Sequence, residues 1–165
     1  MNPTILFSSG RCALGLVLVA QNERGVCAIL LGDDPQRLER ELEACFPEAT
    51  LRRADSELLS RVVSLIERPT SAPNLRLDPR GSEFEQRVWR ALQEIPAGST
   101  VGYGELAARI GAPGAAKEVG EACAANRLAV AIPCHRVIRK DGGLAGYRWG
   151  VQRKRALLER EKGQP

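Results

Sequence analysis

Cys134 is followed directly by His135 in the segment Ala131-Ile132-Pro133-Cys134-His135-Arg136-Val137-Ile138, and His135 is the only histidine in 165 residues. A thiolate is the reactive form of cysteine, and imidazole, cationic side chains and helix N-termini are the surroundings that lower a thiol's pKa. His135 and Arg136 are the candidate partners here. Adjacent residues do not face each other on a helix and point to opposite faces of a strand, so the two side chains cannot pair directly in regular structure. A turn or a bridging water is required. The plainer reading is a small apolar cysteine filling a core beside a surface histidine, and the dipeptide alone favours it.

Several elements must position this segment. Leu14 to Ala20 and Val26 to Leu31 are apolar runs separated by Gln21-Asn22-Glu23-Arg24-Gly25, which predicts a β-hairpin with a longer loop. Asp33 or Asp34 can cap a helix with Pro35 in its first turn and Leu38, Leu42, Cys45 and Phe46 at helical spacing, until Pro47 stops it. A second helix is expected from Ser56 to Glu67, and the breaker-rich stretch from Arg68 to Asn74 marks a boundary between two lobes, divided near residue 78 into 1–78 and 79–165. Beyond it, Ser82-Glu83-Phe84-Glu85 is a capping box, and Phe84, Val88, Trp89, Leu92 and Ile95 form the buried stripe of a helix ending at Pro96. Tyr103 to Ile110 predicts a short helix, Gly111-Ala112-Pro113-Gly114 breaks it, and an Ala-rich helix follows from Ala115 to Ala125. Two short helices around a glycine-containing turn suit a helix-turn-helix or an ordinary αα-corner about equally. The glycines between Asp141 and Tyr147 predict a tight loop, and a last helix covers Val151 to Glu161 with Leu157 and Leu158 inward.

Composition narrows the chemistry. The chain is 44% hydrophobic and can bury a real core. It has no apolar run near the ~18 residues of a membrane span and no signal-peptide pattern at its start, so a cytoplasmic location is expected. Five cysteines without a C-x-x-C pair fit neither a disulfide framework nor a four-ligand zinc site. The first lobe has no histidine, and Cys12, Cys27 and Cys45 alone are too few, so neither metal nor cofactor is expected. Residues 1–78 hold 9 Lys and Arg against 11 Asp and Glu, whereas residues 79–165 hold 15 against 9. The second lobe is therefore the candidate polyanion-binding half, densest from Arg136 to Arg155, although a solvated basic face is the bland alternative.

An ordered series in the second lobe resembles the O6-alkylguanine-DNA alkyltransferases, also called methylated-DNA–protein-cysteine methyltransferases. Its members are Phe84 with Val88-Trp89, Ile95-Pro96 with Gly98, Tyr103 with Leu106-Ala107, Ile110-Gly111 with Pro113, Asn126, Ile132 to Val137, Gly146-Tyr147, and Leu157-Leu158 with Glu161. Arg24 to Asp34 looks most like the Ada-type members, so the resemblance covers nearly the whole chain. It implies an α+β fold: a ribonuclease-H-like N-terminal α/β lobe with a small antiparallel sheet, and an all-helical, winged-helix/helix-turn-helix C-terminal lobe carrying the active-site cysteine. It implies a monomer that binds double-stranded DNA containing O6-alkylguanine, flips the base out, and moves the alkyl group to its own cysteine without a cofactor. O4-alkylthymine is a second candidate lesion.

By that resemblance Cys134 is the nucleophile and acceptor, His135 a water-bridged base, and Glu161 the residue that orients His135. Tyr103 sits against the flipped base and Asn126 holds the active-site turn. Val137, Tyr147, Arg148 and Trp149 contact the guanine and rim the pocket. Ala115, Ala116, Lys117, Gly120 and Arg136 face DNA. Lys117 departs from the arginine the family usually places in the gap left by the base, and Glu118 and Glu121 add carboxylates on that helix. A non-catalytic lesion sensor or transcriptional regulator is the alternative, opposed by the presence of Cys134, His135 and Glu161. A Cys/His hydrolase ranks last, because it needs a histidine distant in sequence and able to touch the cysteine.

Overall fold

A computed structural model describes residues 2–69, 74–144 and 146–162. The N-terminal half is a four-stranded sheet in the order β3-β2-β1-β4, formed by β1 (Thr4–Cys12), β2 (Gly15–Asn22), β3 (Gly25–Gly32) and β4 (Thr50–Arg53). The β1-β2 and β2-β3 pairs are antiparallel and β4 lies parallel to β1, which corrects the expected antiparallel sheet to a mixed one. The parallel pair arises because α1 (Pro35–Cys45) carries the chain across the sheet before β4 begins. Val17 to Ala20 and Val26 to Leu31 are buried throughout, which explains their unbroken apolar runs. The predicted hairpin is present, but its loop is shorter than expected. Asn22 Oδ1 accepts from the backbone of Arg24 and Gly25 at 2.8 and 3.1 Å, and pairing continues from Asn22 to Gly25.

Asp34 caps α1 through Gln36 N, and Ser56 caps α2 (Glu57–Glu67) through Leu58 N. The two helices lie on the sheet, α1 on β3 and β2, and α2 on β1 and β2. The expected breaker stretch falls partly outside the described residues, at 70–73. Its far end returns to the sheet, where Val26 N donates to Arg76 O and Asp78 N to Val26 O, each at 2.8 Å. Gly25 makes that approach possible: its φ is +148°, and a Cβ there would stand 2.4 Å from Arg76 O.

The second half begins at α3 (Glu83–Gln93), where both capping-box bonds form between Ser82 and Glu85, at 2.8 and 3.1 Å. Trp89 Nε1 donates to Ala122 O at 2.9 Å, tying α3 to α5 (Ala116–Ala124). Between them lies α4 (Tyr103–Arg109), and α6 (Val151–Lys162) closes the described chain. This half is not all-helical as expected. Val101–Gly102 (β5) and Val137–Ile138 (β6) pair in parallel on either side of the Cys134 segment. Two-residue strands leave no periodic signature, so only the meeting of distant segments produces them. The molecule is a mixed α+β fold with a small sheet and several helices. Among the described residues no helix is long and apolar enough to cross a membrane.

Candidate active site

The segment that delivers Cys134 is bent by two tight turns. Ala131 N donates to Ala129 O at 2.7 Å around Val130, whose φ of +68° makes it the only described non-glycine residue in the left-handed region. Cys134 N donates to Ile132 O at 2.8 Å around Pro133, at φ −81° and ψ 63°. These are γ-turns of opposite hand, and the positive-φ form is the strained one. Ile29 N donates to Arg127 O and Ala129 N to Ile29 O, so the outer edge of β3 holds the segment in place. Cys134 then opens a single 3-10 turn, Cys134–Arg136. That turn solves the geometry of the Cys-His dipeptide: the two side chains diverge, and both are buried.

Cys134 Sγ accepts a hydrogen bond from Asn126 Nδ2 at 3.3 Å. The same amide donates to Ile132 O at 2.9 Å, while Asn126 Oδ1 accepts from Leu128 N at 2.9 Å, so one buried side chain ties both ends of the loop to the sulfur. Burial pushes the Cys134 thiol up, opposed by the Asn126 bond and by the positive charge of Lys154. Cys134 lies on a cavity of about 330 Å³, lined also by Tyr103 from α4, by Gly120, Cys123 and Ala124 from α5, and by Gly146, Tyr147 and Arg148 from the loop before α6. Its size is that of a small-ligand site. Burial, then Cys123 and Cys134, push the Tyr103 hydroxyl up to about 12, so it stays protonated and can donate.

Behind the cysteine, His135 Nε2 lies 2.6 Å from Glu161 Oε2. Glu161 also accepts from Arg136, with Nε at 3.0 and 3.1 Å and Nη2 at 2.8 Å, and from Gly98 N at 3.4 Å. Burial would raise this carboxyl, but the hydrogen bonds from His135 and Arg136 outweigh it and hold it at about 2. Desolvation pushes the His135 imidazole down against the pull of Glu161, which favours the neutral ring. Its Nδ1 is buried without a hydrogen-bond partner.

Two expectations fail. Arg136 is 1% exposed and spent on Glu161 and on Ile95 O at 2.6 Å, so it cannot face DNA: the buried carboxylate needs its charge more than a phosphate does. Trp149 does not line the cavity; it is buried edge-on to Tyr147 at 5.3 Å and turned toward Ala13, Leu14 and Asp33. The basic stretch is thinned further. Arg148 is held by Glu41 at 3.1 Å and donates to Asn126 O at 2.9 Å, and Arg153 is held by Asp33 at 2.8 Å. Arg139 and Lys140 stay exposed and, with Tyr103, Gly104 and Ala116, line a groove of about 740 Å³. Lys117, Glu118 and Glu121 are exposed on α5, Ala115 and Ala116 are half-buried beside them, and Val137 is buried in β6.

Lys154 and Cys123 were not anticipated as site residues. The signal for Lys154 was present: Lys154, Leu157 and Glu161 fall on one helical face, and a lysine on an inward stripe is uncommon.

The family model described as 6-O-methylguanine DNA methyltransferase, DNA binding domain, matches residues 83–163. The chain is 49% identical over 163 residues to the bifunctional transcriptional activator/DNA repair enzyme Ada of Escherichia coli (strain K12), covering 97% of this chain and 46% of that protein. It spans about half the length of the curated relatives it matches. The crystal structure of Mycobacterium tuberculosis O6-methylguanine methyltransferase is 36% identical with a TM-score of 0.76, covering 98% of this chain and 94% of that one. That of Mycobacterium tuberculosis OGT in complex with DNA is 34% identical with a TM-score of 0.77, covering 96% and 92%. With a relative above one-third identity matched over almost its whole length, the chain belongs to the O6-methylguanine-DNA methyltransferase family.

Proposed function

We propose that this protein repairs DNA by direct reversal, moving the alkyl group of O6-alkylguanine in duplex DNA irreversibly to Cys134, once per polypeptide. The observation that carries this reading is the position of Cys134 Sγ on a cavity of base-binding size, with the His135-Glu161-Arg136 cluster buried behind it. Displacement at a saturated carbon needs a polarizable nucleophile in line with the leaving oxygen, and a thiolate is the best a side chain offers.

Glu161 accepts the Nε2 proton of His135 and so leaves Nδ1 as the basic nitrogen. The thiol proton passes to Nδ1 through a water. The S–C bond forms as the C–O bond breaks, and its electron pair stays on the guanine. Tyr103 donates a hydrogen bond to the departing base, and the proton held on His135 returns to it. The product is a thioether, which water does not cleave at a useful rate, so one turnover follows from the bond formed. Asn126 holds the sulfur and the loop. The backbone at Val137 and the loop through Tyr147 and Arg148 face the guanine edge.

The target atom is out of reach inside a duplex, so the base is flipped, at a cost of a few kcal/mol. Helices α4 and α5 act as a helix-turn-helix, with Ala115, Ala116, Lys117 and Gly120 on the side toward DNA and Arg139 and Lys140 on the phosphates. The strand order β3-β2-β1-β4 supports reading the first lobe as ribonuclease-H-like, and the β5-β6 pair beside α4 and α5 supports reading the second as a winged helix, with the division near residue 78. The protein acts in the cytoplasm as a monomer.

Intact and peptide mass spectrometry after equimolar mixing with duplex DNA carrying O6-methylguanine tests the reading. One methyl added to the Cys134 peptide, matched by loss of the lesion, is the expected result. Binding without transfer would overturn it in favour of a lesion sensor.

A further inference from the structure

Lys154 is fully buried, and its Nζ has no hydrogen-bond partner. Among the described residues it is the only ammonium or guanidinium group in that state. An unpaired buried charge is strongly disfavoured, and leucine or methionine would fill the same place on the inward stripe of α6 without that cost. The helix packs against the 3-10 turn that carries Cys134. Burial pushes the Lys154 ammonium down; of the charges acting on it, those of Cys134 and Cys123 favour the ammonium and that of Arg139 opposes it. Those acting on Cys134 are Lys154 and Arg148, beside the Asn126 hydrogen bond. Tyr103 and Tyr147, which also line the cavity, are neutral because burial pushes both hydroxyls up. Glu161, on the same face of α6, is already bound by His135 and Arg136. The one anion the site must create is thus the sulfur, and Lys154, on the helix packed against its turn, is the one buried cation among the described residues without a hydrogen-bond partner.

We propose that Lys154 is the buried counter-ion of the Cys134 thiolate, a positioning residue that stabilises the nucleophile before attack. The proposal rests on the reading of Cys134 as alkyl acceptor and extends it. When the thiol gives its proton to His135, S⁻ and the Lys154 ammonium become a pair. Alkyl transfer turns the thiolate into a neutral thioether, the His135 proton goes to the released guanine, and Lys154 keeps its proton but loses its partner. Alkylation therefore strips the protein of a buried ion pair.

The rate at which iodoacetamide labels Cys134, followed on its peptide as a function of pH without DNA, tests the pair. In Lys154→Met the midpoint of the profile moves up by about one unit or more, whereas Lys154→Arg, which keeps the charge, restores most of the shift. A folded Lys154→Met with the wild-type profile would overturn the proposal. If that variant does not fold, NMR titration of the Lys154 Cε resonance decides in its place. Its midpoint is expected to be lower in Cys134→Ser than in wild type, and an unchanged midpoint sinks the idea. Neither experiment needs a lesion, so failure of DNA repair and failure of the ion pair are distinguishable.

Discussion

The 2.6 Å contact between His135 Nε2 and Glu161 Oε2 dictates which nitrogen of the only histidine is free to act. A carboxylate held at about 2 cannot donate, so the proton between them belongs to Nε2 and Nδ1 carries the lone pair. The imidazole is thus held with Nδ1 as its unprotonated nitrogen. Arg136 Nη2 donates to the same Oε2 at 2.8 Å and helps hold Glu161 in place.

Replacing Glu161 by Gln removes the carboxylate that accepts from Nε and Nη2 of the buried Arg136, and breaking a buried pair costs about 3–5 kcal/mol. Glu161 has a folded pKa of about 2 against an ordinary 4.5, so its stabilisation is present above pH 4.5 and lost as pH falls toward 2. Wild type should lose on the order of 3 kcal/mol over that window, and Glu161→Gln should lack this loss. Urea unfolding at several pH values checks it. Parallel curves for the two proteins would show that the carboxylate is not the acid-sensitive group.

Lys117 stands exposed in the first turn of α5, beside the exposed carboxylates of Glu118 and Glu121. Lysine lacks the planar guanidinium that stacks on bases. Lys117→Arg should raise the single-turnover transfer rate about two- to fivefold, the equivalent of ~0.5–1 kcal/mol of stacking. Quenched-flow transfer from a methylated duplex measures it, and an equal or slower rate would mean that the finger site does not limit flipping.

Arg139 and Lys140 are exposed along the groove beside Tyr103, whereas Arg136 is buried. Removing either exposed cation should weaken binding across all sequences and reduce the slope of log affinity against log salt by about 1. Titration of labelled duplex at several salt concentrations reads this directly. A wild-type slope in both variants would move the phosphate contacts elsewhere.

Val130 is a buried β-branched residue at φ +68°. Both Val130→Ala and Val130→Gly lose the side chain's packing, but only glycine escapes the backbone strain. Glycine normally costs about 1 kcal/mol relative to alanine; here it should be the more stable of the two by ~1 kcal/mol. Thermal unfolding of the pair is the measurement, and the ordinary order would show that the turn relaxes without cost.

Much of this molecule was legible in its residues. The Ser82 capping box, the Asp34 cap and the apolar stripes of α1, α3 and α4 are local signals, because caps and helical periodicity depend on neighbours within one or two turns. The Cys134-His135 pair stood out by its chemistry, whereas Asn126 and Glu161 were named by the resemblance to the alkyltransferases. Tertiary structure decided what depends on partners distant in sequence. Strand β1 has weak alternation through Ser8-Ser9-Gly10 and exists because β2 and β4 pair with it on both sides. Arg136 and Arg139 have the same chemistry in the same basic run, yet one is buried on Glu161 and the other is free to meet a phosphate. Charge is a property of a residue, whereas burial belongs to the fold. That is why composition identified the basic half, while only the packed chain separated its exposed cations from those buried behind the nucleophile.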